Sequence, residues 1–125
     1  MSKDTALISA ACEARQHAFV PYSQYRVGAA VRTAQGHIFR GCNVENKSYS
    51  LTICAERAAV FNAIQAGEQD FEALAIATED GAAPCGACRQ VLAEFAPDLS
   101  ILLVTAQSPP TFTETNLKLL LPDRF

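Results

Sequence analysis

The chain reads as an α/β protein, a three-layer α/β/α sandwich around a mixed β-sheet, and three observations predict it. Helical and strand-like apolar spacings follow one another in the order α-β-β-α-β-α-β. Residues 73–77 and 99–105 are nearly all apolar, as strands covered on both faces are. Gln35-Gly36 falls between two strand-like stretches, so the first two strands pair as an antiparallel hairpin. Later strands are joined by helical crossovers.

Each element has its own signal. Residues 5–19 place Leu7, Ile8, Ala11, Cys12, Ala14, Ala18 and Phe19 at helical spacing, and Pro21 stops that helix. Residues 25–33 and 37–44 form the hairpin strands, followed by a polar loop over 45–50. A second helix runs from about Cys54 to Ala66 and is closed by Gly67. Its alanines at 55, 58, 59, 63 and 66 raise helix propensity and allow close approach of a neighbour. Residues 71–78 form the third strand and 79–84 a short loop. The helix over 85–96 turns Cys88, Val91, Leu92 and Phe95 inward, and Pro97-Asp98 ends it. The fourth strand follows over 99–105. Beyond Pro109-Pro110, residues 111–113 add a short edge strand. Thr115 or Asn116 caps a last turn or two through Leu121.

Composition bounds the function. The 125 residues carry 10 Lys+Arg against 13 Asp+Glu, a formal charge of −3. Half of the residues are hydrophobic and 18% are charged, so the chain builds a real core and is not disordered. No repeat or linker divides it, and residues 1–125 are expected to be one domain. Mild acidity argues against a broad nucleic-acid surface. No apolar run approaches the roughly 20 residues that cross a bilayer, and the first residues begin no signal-peptide pattern, so a cytoplasmic location is expected. Five cysteines, an odd number, do not read as a disulfide framework.

The chemistry lies at two helix starts, Cys54-Ala-Glu56-Arg57 and Pro84-Cys85-Gly-Ala-Cys88. Cysteines three apart share one face of a helix's first turn, where unpaired backbone N–H groups and the positive helix end favour thiolates. Cys54 holds the same kind of position on the other helix. Side by side, the two helices bring three sulfurs together for zinc, which prefers soft ligands in a tetrahedron. Three protein ligands leave one position open, the mark of a catalytic site. Glu56 is placed to move protons to and from a substrate there. Zinc with three thiolates carries a net −1, which the helix ends and Arg57 offset. Arg89, by contrast, is expected to face solvent.

Rival readings of the same residues fit less well. A redox Cys-x-x-Cys pair leaves Cys54-x-Glu56 without a role. A closed structural zinc site needs Cys42 or Cys12 as a fourth ligand, and both read better as buried free thiols. His17 and His37 lack metal-ligand spacing to the cysteines and are bystanders.

Cys54-Ala-Glu56 with Pro84-Cys85-Gly-Ala-Cys88-Arg-Gln90 resembles the zinc-dependent nucleoside deaminases, in their three-cysteine variant. Pro21-Tyr22-Ser23, Val27-Gly28-Ala29-Ala30, Gly41-Cys42-Asn43-Val44-Glu45-Asn46, Ser48-Tyr49, Leu51-Thr52-Ile53 and Leu120-Leu121-Pro122 extend the match along essentially the whole chain. They are similar to the small homotetrameric class of the cytidine deaminase family. The resemblance implies a hydrolase of pyrimidine salvage that converts cytidine and 2′-deoxycytidine to uridine and 2′-deoxyuridine plus ammonia. One Zn2+ per chain, held by Cys54, Cys85 and Cys88, then supplies the hydroxide that attacks C4, while Glu56 protonates N3 and serves the departing amine.

By the same resemblance Asn43 and Glu45 grip the ribose, and backbone groups near Ala55 and Pro84 read the pyrimidine edge. Tyr25 lies beside sugar and base. Phe125 closes over the base, and Tyr49 belongs to an inter-subunit loop, so active sites are shared in a tetramer. Arg57 and Gln90 support the metal ligands. The chain departs from the family in its short loop over 78–84, in the Pro/Thr-rich segment 106–115 and at Lys118-Leu119. The alternatives are a deaminase of a modified or antibiotic cytosine nucleoside and a non-catalytic zinc-stabilised scaffold; the latter is expected to lack Glu56, which is present.

Overall fold

The computed structural model describes residues 3–123 and 125. Helix α1 (Lys3–Arg15) leads into the hairpin strands β1 (Gly28–Thr33) and β2 (Ile38–Cys42). After a 3-10 turn at Tyr49–Leu51 come α2 (Ala55–Gln65), β3 (Phe71–Thr78), α3 (Gly86–Phe95), β4 (Ser100–Thr105), β5 (Thr111–Asn116) and α4 (Leu117–Leu120). The five strands form one sheet in the order β2-β1-β3-β4-β5. Pairing is antiparallel except between β3 and β4, so the sheet is mixed, as expected. One row crosses it as Arg40, Ala30, Ala75, Leu102 and Glu114.

The period-2 alternation of strand side chains separates two apolar layers. Ala30, Ala73, Ala75, Ala77, Leu102 and Val104 pack with Leu7, Ile8 and Ala11 of α1. Ala29, Val31, Leu74, Ile76 and Ile101 face the other way, against α2 and Leu92 of α3. Each fully buried Leu or Ile of these layers contributes about 1.5–3 kcal/mol. The alanine rows explain how close the layers lie. At Gly41 the approach is tighter still: a Cβ there would stand 2.3 Å from the Ala59 backbone nitrogen and 2.5 Å from the Ala55 oxygen. That glycine lets α2 sit directly on β2, which fixes the start of α2.

Three boundaries differ from the sequence reading by three residues or more, each for a tertiary reason. The first helix ends at Arg15, not near Phe19, because Phe19 is drawn into a parallel bridge with Val44. The Phe19 N–H donates to the Asn43 carbonyl at 3.0 Å, and the Glu45 N–H donates to the Phe19 carbonyl at 2.9 Å. The first strand starts at Gly28, not Tyr25, since residues 22–27 are held by side chains rather than by a ladder. The edge strand spans six residues, not three, because all of Thr111–Asn116 stays in register with β4. Asn116 caps α4 by accepting from the Leu119 N–H at 2.9 Å.

Candidate metal and catalytic site

Cys54 and Cys85 are the residues immediately before α2 and α3, each in extended backbone, and Cys88 lies one turn into α3. The sequence places all three where helix N-termini present unpaired N–H groups. One of these, from Cys88, donates to Cys85 Sγ at 3.5 Å. The three sulfur atoms lie within 4.8 Å of one another, and Cys54 Sγ and Cys85 Sγ are 3.8 Å apart. The latter distance matches the edge of a tetrahedron with zinc–sulfur legs of about 2.3 Å, whose corners stand about 3.8 Å apart. The donor set therefore fits a zinc ion. Cys12 and Cys42 stand outside the cluster; both are half-buried rather than fully buried, and both are free.

Charge around the sulfurs is organised. Arg57, one turn beyond Cys54 on α2, donates from Nη2 to Cys54 Sγ at 3.3 Å. Its Nε is buried with no partner. A hydrogen bond from Cys88, then the one from Arg57, lower the Cys54 thiol to about 5. Cys88 is pushed far up, first by that hydrogen bond to Cys54 and then by burial and the Glu56 charge. Cys54 is thus the sulfur whose thiolate form its surroundings favour, while the bond to Cys54 and burial hold Cys88 towards the thiol. A bound cation would reverse that balance for Cys88.

Glu56 is buried in the first turn of α2, only 4% exposed. Burial raises its carboxyl above the ordinary range, and the Cys54 charge raises it further. A carboxyl group so placed takes and returns protons near neutral pH more readily than an ordinary surface glutamate.

Asn43 and Glu45 lie just past β2 and are buried. Asn43 accepts from Val27 N–H and donates to the Tyr25 carbonyl, both at 2.9 Å. Glu45 accepts from the N–H groups of Tyr22 and Ser23 at 3.0 and 3.1 Å and from the Ser23 hydroxyl. These bonds lower its carboxyl below the usual range, the Ser23 hydroxyl most of all. Both side chains thus brace residues 22–27, a task the sequence did not announce. Each keeps acceptor or donor capacity for a further hydroxyl. Pro84 is buried, and Ala55 N–H is among the helix-start amides without an intrahelical partner.

Two arginines differ in role. Arg89 does not face solvent as expected: Nε donates to the Pro84 carbonyl at 2.8 Å and Nη1 to the Leu120 carbonyl at 2.9 Å. It ties the cysteine loop to α4. Gln90, its neighbour, is exposed. Tyr49 and Phe125 are exposed as well, 72% and fully, so this chain by itself does not bring them to the cluster. Both histidines are exposed, His37 pairs with Glu68 at 2.6 Å, and neither histidine belongs to the three-sulfur cluster.

Fold and cluster together define a class: an α/β protein with a three-sulfur metal site of the open kind beside a buried carboxyl group. The family follows from comparison with known proteins. The family described as cytidine and deoxycytidylate deaminase zinc-binding region matches residues 1–103. A cytidine deaminase of Sporosarcina psychrophila is 46% identical over 95% of this chain and 88% of its own length. The crystal structure of cytidine deaminase from Burkholderia pseudomallei superposes over all of both chains with a TM-score of 0.92 at 47% identity. That of cytidine deaminase from Mycobacterium tuberculosis gives 0.85 at 39% identity, over all of this chain and 98% of that one. The chain belongs to the cytidine and deoxycytidylate deaminase family, and it is a deaminase.

Proposed function

We propose that the protein hydrolyses cytidine and 2′-deoxycytidine to uridine and 2′-deoxyuridine with release of ammonia. The observation that carries this reading is a buried Glu56, its carboxyl raised, in the same helix turn as Cys54 of a three-sulfur cluster of zinc-like spacing. Cys54, Cys85 and Cys88 hold one Zn2+ per chain. Bound there, zinc supplies Lewis acidity that makes water a nucleophile at neutral pH. Arg57 offsets the excess thiolate charge through Cys54, and Gln90, two residues beyond Cys88 on α3, supports the Cys85 and Cys88 ligands.

Glu56 performs the proton transfers. It takes a proton from the attacking water and delivers it to N3 as C4 becomes tetrahedral. It then moves the second proton to the amino nitrogen, which leaves as ammonia. One carboxyl group serves both steps because N3 and the amino group flank the same carbon. Backbone groups of Ala55 and Pro84 read the pyrimidine edge. Asn43 and Glu45 use their spare capacity on the sugar hydroxyls, and Tyr25 lines the nucleoside.

Tyr49 and Phe125 complete the sites of neighbouring copies in a homotetramer. What supports this is their exposure, together with that of Leu51 on the same 3-10 turn, a surface of large apolar groups suited to burial against another copy. Residues 1–125 act as one domain, a cytoplasmic enzyme of pyrimidine salvage. The five free cysteines suit a reducing compartment. Free nucleosides rather than nucleic acid or membranes are its partners, in keeping with a net charge of −3.

The test is to incubate the zinc-loaded protein with cytidine and with deoxycytidine and to quantify products and ammonia. Equal amounts of uracil nucleoside and ammonia are expected. A protein holding zinc that leaves both untouched, yet deaminates an antibiotic cytosine nucleoside, would overturn the substrate assignment.

A further inference from the structure

Tyr25 is gripped at three points. Its N–H donates to Ser23 Oγ at 3.0 Å, its carbonyl accepts from Asn43 Nδ2 at 2.9 Å, and its hydroxyl donates to Asp80 Oδ1 at 2.6 Å. The first two bonds hold backbone. The bond to Asp80 acts on the ring, with the Thr78 hydroxyl close beside it, and it comes from a residue 55 positions away, in the loop that leads to Pro84 and Cys85.

That loop is itself anchored. Thr78, buried at the end of β3, donates from its hydroxyl to the same Asp80 Oδ1 at 3.2 Å and accepts from Ala82 N–H at 2.9 Å. Gly81, at φ +72°, turns the chain between them. Asp80 therefore bridges a fixed strand end and an aromatic ring. On one side is the segment that Asn43 and Glu45 brace; on the other is the loop entering the cysteine pair.

We propose that Asp80 is a positioning residue for nucleoside binding, resting on the reading that this chain deaminates cytidine nucleosides: through the Tyr25 hydroxyl it locks the ring and joins the sugar-facing segment to the metal-bearing loop. Asp80 itself touches no reacting atom. Its acceptor is a carboxylate, so the bond is of the stronger, charge-assisted kind. Its loss costs binding rather than chemistry, because neither Glu56 nor any sulfur depends on it for a contact.

The experiment compares zinc-loaded wild type with Asp80→Ala, Tyr25→Phe, the double variant and Asp80→Asn, which keeps an acceptor. The readouts are kcat and KM for cytidine, Kd for the product uridine, and zinc content. Asp80→Ala and Tyr25→Phe are each expected to raise KM about 3- to 10-fold with kcat within about twofold. The uridine Kd is expected to follow KM. The double variant should be no worse than Asp80→Ala, since both single variants remove the Tyr25–Asp80 bond and Asp80→Ala removes the Thr78 bond as well, and Asp80→Asn should lie nearer wild type. An unchanged KM in Asp80→Ala overturns the proposal. So does additivity in the double variant, or a parallel fall of kcat and zinc content, which would mark a merely structural bond. If wild type holding zinc does not deaminate cytidine, the functional reading fails and takes this proposal with it; wild-type activity with an indifferent Asp80 leaves that reading standing.

Discussion

Gly41→Ala is a substitution whose consequences reach from one added methyl group to the metal site. The added Cβ would lie 2.3 Å from Ala59 N and 2.5 Å from Ala55 O, where ordinary contact begins at 3.4 Å. Both obstacles are helix backbone, so α2 must retreat by about 1 Å instead of a side chain swinging aside. Overpacking of this kind costs about 1–3 kcal/mol, which for a chain of this size lowers Tm by about 4–15 °C. The retreat also carries Cys54 and Glu56 away from Cys85 and Cys88. A displacement of about 1 Å at reacting groups costs up to about 100-fold in rate.

Competition with a chromophoric chelator for zinc, kcat at saturating zinc, and thermal denaturation measure the three effects. Gly36→Ala is the control: at φ +89° it strains the hairpin turn but meets nothing within 4 Å. It should cost about 1 kcal/mol of stability and leave zinc affinity and kcat alone. If Gly41→Ala lost stability only, with zinc affinity and kcat of wild type, the claim that this contact sets the cluster would be refuted.

Further outcomes follow from single contacts. Arg89→Ala removes the tie between the Pro84 and Leu120 carbonyls and should cost about 1–2 kcal/mol, with hydrogen exchange accelerating first over residues 117–121; uniform acceleration would contradict it. Glu45, Glu68, Glu72 and Asp80 all titrate below their ordinary values, held there chiefly by Ser23, Thr33, Arg32 and Tyr25 respectively. Their folded values lie below the unfolded ones, so the stabilisation is complete above about pH 5 and is lost as pH falls through the folded values. Tm should decline on that acid limb, and Glu68→Gln and Glu72→Gln should flatten it. Glu56 has the opposite sign: its folded carboxyl is raised, so its ionisation costs stability as pH rises. In metal-free protein Glu56→Gln should raise Tm at pH 7 and leave it nearly unchanged at about pH 3, below the unfolded value, where the carboxyl is protonated in both states.

What could be read from the sequence was what depends on local pattern. Cys85-Gly-Ala-Cys88 and Cys54-Ala-Glu56 state their geometry in a few residues, because a helix start fixes the direction of side chains one turn apart. The two-faced strand over residues 73–77 was legible because burial on both sides removes polar alternation. The segment 16–27 was not, since its shape comes from Phe19 bridging Val44 and from Asn43 and Glu45 bracing it across about 20 residues. Residues 111–116 alternate without an apolar face, and pairing with β4 alone makes them a full strand. Arg89 and Asp80 gave no sign in sequence either. A lone charged side chain has no period, and its partners at 120 and 25 are visible only in the fold.

The central claim is that a buried carboxyl group beside a three-sulfur zinc site deaminates cytosine nucleosides, and Glu56→Gln tests it most directly. Zinc content and the loss of cytidine absorbance with ammonia release are to be measured on wild type and variant together. The account predicts about one zinc per chain in both and a fall in rate of at least about 100-fold in the variant alone. A variant that holds zinc and deaminates cytidine at the wild-type rate would contradict it.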